Sequence, residues 1–181
     1  MNVLTIDCDW AVDENRLLEL LNFCYKKFNK NQEIIFIEEH HHAYNLINKE
    51  DVLFNIDDHH DINYNNDIRF IVENNFCQQG NWIFALIYKK IINKYYWICN
   101  ENSSYSQKDI LNLVNNLNVF FKSTNLNTIS NFNFEKIIIC KSEQYFAKAS
   151  LTFNLIKNLC ENNNLPIKTY VVDNPNAPIN V

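Results

Sequence analysis

The stretch Val52-Leu53-Phe54-Asn55-Ile56-Asp57-Asp58-His59-His60-Asp61 decides the fold. Its first half is apolar with almost no alternation, the pattern of a strand buried on both faces, and such strands belong to parallel sheets covered by helices. Its second half turns abruptly to carboxylates and imidazoles. The same transition recurs at Val3-Leu4-Thr5-Ile6, which runs into Asp7-Cys8-Asp9, and at Ile34-Ile35-Phe36-Ile37, which runs into Glu38-Glu39-His40-His41-His42. All five histidines fall between positions 40 and 60, and carboxylates flank both groups. Scattered surface histidines do not produce that pattern.

Working outward, strand-like and helix-like segments alternate. Residues 2–9 read as a buried strand. From Asp13, a residue type suited to capping a helix, Leu17, Leu18, Leu20, Leu21, Cys24, Tyr25 and Phe28 recur at helical spacing. Residues 34–37 and 51–57 read as strands, with a short helical stretch through Tyr44 and Ile47 between them. Residues 67–75 are ambiguous between helix and strand. Helices are expected over 82–92, 109–122 and 143–162, strands over 95–99, 137–140 and 169–172, and an irregular tail from Asp173. The expectation is therefore an α/β protein, one domain over residues 1–181, with a mostly parallel sheet and helices on both faces. Ligands in such folds bind at the carboxyl ends of the strands, where all three polar clusters fall.

Composition removes several function classes. The chain has 181 residues, a net charge of −5 and a hydrophobic fraction of 47%, with no basic stripe of the kind nucleic acids require. No apolar run approaches the roughly 20 residues of a membrane span, and no basic segment precedes an apolar one at the N-terminus; a soluble, cytoplasmic protein is expected. The six cysteines contain no C-x-x-C pair and several lie in apolar runs, so they read as reduced core residues. Gly80 is the only glycine, which excludes any glycine-rich phosphate loop or dinucleotide fingerprint.

In an extended segment alternate side chains share a face, so Asp57, His59 and Asp61 are expected to project together, as are Asp7 and Asp9. Adding His40 makes four carboxylates and two imidazoles. Oxygen donors mixed with imidazole suit Mn²⁺, with Fe²⁺, Co²⁺ or Zn²⁺ as lesser candidates. Four carboxylates exceed the needs of one divalent ion, so a carboxylate-bridged pair is the economical reading. His41, His42 and His60 are left as candidates for proton transfer, or as solvated or supporting residues.

These motifs resemble the arginase/deacetylase superfamily, whose members carry a D-x-H-x-D strand end, a D-x-D strand end and a further histidine around two Mn²⁺ ions. The order D-x-D, then Glu38-Glu39-His40, then D-x-H-x-D is most similar to the small arginase-like family that includes the peptide arginases of ribosomal peptide biosynthesis. The specific motifs lie within about residues 3–61, with Gly80-Asn81-Trp82 and Ser142-Glu143 also similar. The resemblance implies an arginase-like three-layer sandwich in which Asp57 and Asp7 bridge two Mn²⁺, His40 and Asp61 complete one ion, and His59 and Asp9 complete the other. It implies a substrate-binding role for Glu143, with Asn81 and Trp82 lining the pocket. It also implies hydrolysis of arginine side chains in a precursor peptide to ornithine and urea. The expected partner is thus an arginine-containing precursor peptide, with an oligomer allowed and no nucleic acid or membrane.

Two other readings compete. Asp58-His59-His60 imitates a D-H-H phosphoesterase, although Trp10 stands where that family favours glycine. A non-catalytic, metal-stabilised peptide-binding domain is the third reading. Hydrolysis of a small guanidino compound or an acetylated amine is a close variant of the first.

Overall fold

Strand β1 (Asn2–Asp7) lies near the middle of a seven-stranded sheet whose described ladders are all parallel. The computed structural model describes residues 1–62, 73–99, 107–114, 117, 119–142, 148–173 and 179–180. On one side of β1 come β3 (Val52–Ile56), β5 (Lys94–Ile98) and β6 (Phe120–Thr124). On the other come β7 (Lys136–Cys140), β2 (Glu33–Ile37) and β8 (Ile167–Thr169). A separate antiparallel pair joins β4 (Phe76–Cys77) to β9 (Ile179–Asn180).

The continuous apolar strands have the layering their composition demands. Leu4, Ile6, Ile34, Phe36, Phe54, Ile56, Ile137 and Ile139 pack into one core with Leu20, Phe23 and Cys24 of helix α1 (Glu14–Lys27). Phe153, Ile156 and Cys160 of helix α5 (Ala149–Asn162) join the same core. The intervening positions Val3, Ile35, Leu53, Ile138 and Cys140 enter a second core, with helix α2 (Trp82–Tyr88) and Ile110 and Val114 of helix α3 (Gln107–Val114). The molecule is thus a three-layer α/β sandwich. Asp13 caps α1 as expected, accepting the Arg16 N–H at 2.9 Å. All six cysteines are free and five are buried. Among the described residues no helix is long and apolar enough to cross a membrane.

Several element boundaries differ from the sequence expectation. The expected helix over 109–122 runs Gln107–Val114, and Phe120–Thr124 is instead the edge strand β6. Pairing to β5 lets Phe121 reach the core while Phe120 stays outside. Asn125 caps a short helix α4 (Leu126–Ile129) by accepting the Thr128 N–H. The helix expected over 82–92 ends at Tyr88, with Lys90 in the left-handed region just beyond it. The last strand falls at 167–169 rather than 169–172, because Ile34, Ile35 and Phe36 of β2 are its partners. The tail is not wholly irregular, since Ile179 pairs with Cys77 and is buried.

Candidate metal centre

Parallel register brings the strand ends to one level. Ile6 lies beside Ile56, and Asp7 and Ile37 both lie beside Cys140. The clusters that follow β1, β2 and β3 therefore meet at the carboxyl edge of the sheet, as they must when crossovers return every strand in one direction.

The side chains converge by turns rather than by pleat. Asp57, His59 and Asp61 lie beyond the end of β3 in a bend, and the extended alternation expected for them is not what gathers them. Asp57 Oδ1 accepts the His59 N–H at 2.8 Å, folding the chain back within two residues. Asp61 follows with φ 50°, a left-handed conformation that Asp tolerates better than most residues. Asp7 likewise accepts the Asp9 N–H at 3.2 Å through Oδ1, so Asp9 lies in a 3-10 turn, Cys8–Trp10, and not in the strand. His40 opens the 3-10 turn His40–Leu46, three residues beyond Ile37, the last residue of β2.

Two groups result, each able to hold a metal ion: Asp7, His40 and Asp57, all buried, and Asp9, Asp57 and His59, where His59 is partly open. Asp57 belongs to both. Its Oδ2 lies 3.6 Å from His40 Nδ1 and its Oδ1 lies 3.7 Å from His59 Nδ1, so each oxygen faces a different imidazole. His40 Nδ1 is also 2.6 Å from Asp7 Oδ2 and 3.3 Å from Asp61 Oδ2. His59 Nδ1 is 3.4 Å from Asp9 Oδ2.

Charge balance explains the protonation of this centre. Four carboxylates face two imidazoles, so the imidazoles are pushed up while Asp9 and Asp61 resist ionisation. The Asp57 carboxylate, then that of Asp9, both close to the ring, push His59 up to about 11. Burial pulls His40 down, but the Asp61 and Asp7 charges outweigh it and raise it well above the usual imidazole range. Burial also opposes ionisation of Asp57, yet its contacts with His40 and His59 hold it well below ordinary carboxylates. Asp9 goes the other way: burial first, then the Asp7 charge, push it to about 8. Burial, reinforced by Asp57, raises Asp61 well above its ordinary value against the pull of His40. A buried cluster with more carboxylates than cations calls for added positive charge. The orphaned Asp9 Oδ1, buried without a hydrogen-bond partner among the described residues, marks a place for it. Oxygen and imidazole donors suit a divalent ion, so the residues fit a metal.

The remaining candidates divide. Trp82 is fully buried and donates Nε1–H to Asp61 Oδ2 at 2.6 Å, so it holds a carboxylate of the cluster. Asn81 is buried and accepts the Gln78 N–H at 2.7 Å, closing the turn that leads into α2. His60 Nδ1 accepts the Ile62 N–H at 3.1 Å, and its ring stands edge-on to Trp97 at 5.8 Å. His41 and His42 are buried with ring centroids 4.2 Å apart. Glu143 lies outside the described residues.

Supporting residues beyond the motif also emerge. Ser142, at φ 47°, donates its hydroxyl to Asp7 Oδ2 at 2.8 Å. Trp97 Nε1–H binds the Asp57 carbonyl at 2.9 Å, and Tyr95 O–H binds the His60 carbonyl at 3.2 Å. Gln79 donates to Glu39 Oε2 at 3.1 Å, and burial raises the Glu39 carboxyl to about 7. Thr5 and Asn55 are fully buried within otherwise apolar strands, and that polar interruption was their only sequence signal. Comparison of the chain with protein-family models, curated proteins and solved structures gave no match.

Proposed function

We propose that the protein is a binuclear manganese hydrolase of arginase-like type. In this reading it converts arginine side chains of a ribosomally made precursor peptide to ornithine and urea. The observation that carries the reading is the shared Asp57, whose two oxygens face His40 and His59 separately, as a carboxylate bridging two ions must. Asp7, His40 and Asp57, with Asp61 alongside, would hold one ion; Asp9, Asp57 and His59 would hold the other. When bound, such a pair supplies Lewis acidity and a water ionised near neutral pH, the nucleophile that attack on a guanidinium carbon needs.

The chain's own residues supply the rest. His59, 34% exposed at its side chain, marks the side from which substrate enters. His40, Asp57 and Asp61 lie beneath it, shielded from water. Trp82 and Ser142 keep Asp61 and Asp7 oriented. The proton for the departing amine falls to His41 or His42, next in sequence to His40. His60 is a weaker candidate, because its Nδ1 is occupied as an acceptor.

The test is urea release from arginine-containing peptides by manganese-loaded protein, abolished by Asp57→Asn. Metal-loaded protein that releases no urea from any arginine peptide or from free arginine overturns the reading. Behaviour unchanged by Asp57→Asn in every assay would favour a non-catalytic binding domain instead.

A further inference from the structure

Two polar side chains interrupt the apolar face that the sheet turns towards its second core. Thr5 of β1 and Asn55 of β3 are each 1% exposed, and the parallel register sets them side by side. Strand alternation puts them on the face shared by Val3, Leu53 and Ile138, all buried and apolar. Asparagine is disfavoured in strands, and an amide without partners in such a place is destabilising. Its presence calls for a compensating role.

The contacts supply one. Thr5 Oγ1 lies 2.6 Å from Asn55 Oδ1 and 3.2 Å from the Phe54 carbonyl. Asn55 Nδ2 donates to Asp57 Oδ2 at 3.2 Å. The orientation of the amide follows from chemistry: a carboxylate only accepts, so the NH₂ end must face Asp57 and the oxygen end must face the Thr5 hydroxyl. Asp57 Oδ1 is held separately by the His59 N–H at 2.8 Å. Each oxygen of the shared carboxylate is thus gripped by one donor of the chain, and rotation about its Cβ–Cγ bond is blocked.

We propose that Asn55, locked by Thr5, is a positioning residue that sets the rotation of the Asp57 carboxylate so that it can bridge two metal ions. The proposal rests on the reading of Asp57 as a metal ligand. Asn55 touches neither metal nor substrate; it acts through Asp57, with Thr5 behind it at the next remove. Partners of this kind typically govern metal affinity by about 10–100-fold.

The experiment is manganese titration of metal-stripped protein by calorimetry, with elemental analysis and electron paramagnetic resonance of the loaded form. Wild type is expected to bind two equivalents and give a spin-coupled signal. In Asn55→Leu the second equivalent should bind about 10–100-fold more weakly, and the coupling should be lost. An Asn55→Leu protein that melts earlier yet binds both equivalents with wild-type affinity and coupling overturns the proposal, since that is the mark of a merely structural role. Should Asn55→Leu fail to fold, the isosteric Thr5→Val decides in its place. A several-fold loss of affinity restored by Thr5→Ser supports the proposal, and wild-type affinity in Thr5→Val overturns it. Wild type that binds no manganese removes the metal reading itself, a different outcome from failure of the variants alone.

Discussion

Replacing Asp9 by asparagine in the metal-free protein should stabilise it, and the size of the effect follows from the site. Asp9 is 3% exposed. Burial first, then the Asp7 charge, raise its pKa from 3.8 to about 8. Its folded pKa lies above its unfolded one, so its contribution is fully favourable below pH 3.8 and is lost as pH rises through about 8. At pH 7 the unfolded chain has released this proton and the folded chain still holds it. The gap is about three units, or about 4 kcal/mol at 1.36 kcal/mol per unit. Asparagine keeps the shape and has no proton to retain, so metal-free Asp9→Asn should gain about that much near neutral pH. The gain should vanish near pH 4. Urea denaturation after chelation, repeated across that range, measures it. A variant less stable than wild type at neutral pH, or a gap that does not change with pH, refutes the reasoning. Manganese should narrow that gap, because an ion that needs Asp9 stabilises only the wild type, by about 2.7 kcal/mol at one hundred times Kd and about 4.1 kcal/mol, enough to close it, at one thousand times Kd.

Three further outcomes are expected. Elemental analysis should find no bound metal in Asp57→Asn, which strikes both groups, and one equivalent in His59→Ala, which strikes only the partly open group; equal losses in the two variants would contradict the shared role of Asp57. Trp82→Phe removes the indole donor from Asp61 and leaves a void at a fully buried position. It should cost about 3 kcal/mol in denaturant melts, and a loss under about 1 kcal/mol would mean the contact is dispensable. Asp13→Ala deletes the cap that accepts the Arg16 N–H and should cost about 1 kcal/mol with metal binding unchanged; a change in manganese stoichiometry would show that α1 is coupled to the centre.

These perturbations share a conflict between site and stability. Packing four carboxylates around two imidazoles is costly until cations arrive, so the residues that suit the site for a metal are those that burden the metal-free fold. Asp61 and Ser142 add backbone strain, with φ of 50° and 47°. In a chain with one glycine, the turns at the centre are made by residues whose side chains also hold it together, Ser142 on Asp7 and Asp61 beside His40.

Much of this was legible in the sequence. Apolar runs such as Val52–Phe54 and Ile34–Ile37, too short for a helix and rich in branched and aromatic residues, read as strands covered on both sides. Their abrupt ends before Asp7, His40 and Asp57 located the carboxylate–histidine cluster, since side chains at the carboxyl ends of neighbouring parallel strands converge. The β6 strand escaped notice because Phe120 and Phe121 fit a helical period as well as a strand, and pairing to β5 settled the matter. The tertiary structure alone decided the strand order, with β1 between β3 and β7, and which oxygen of Asp57 faces which histidine. It alone paired Trp82 with Asp61, and Asn55 with Thr5 fifty residues away. The physical reason is that periodicity along a chain records how much of each side chain is buried, which is a local quantity. Register, turn conformation and hydrogen-bond partners depend on which distant segment packs alongside, and no local pattern carries that information.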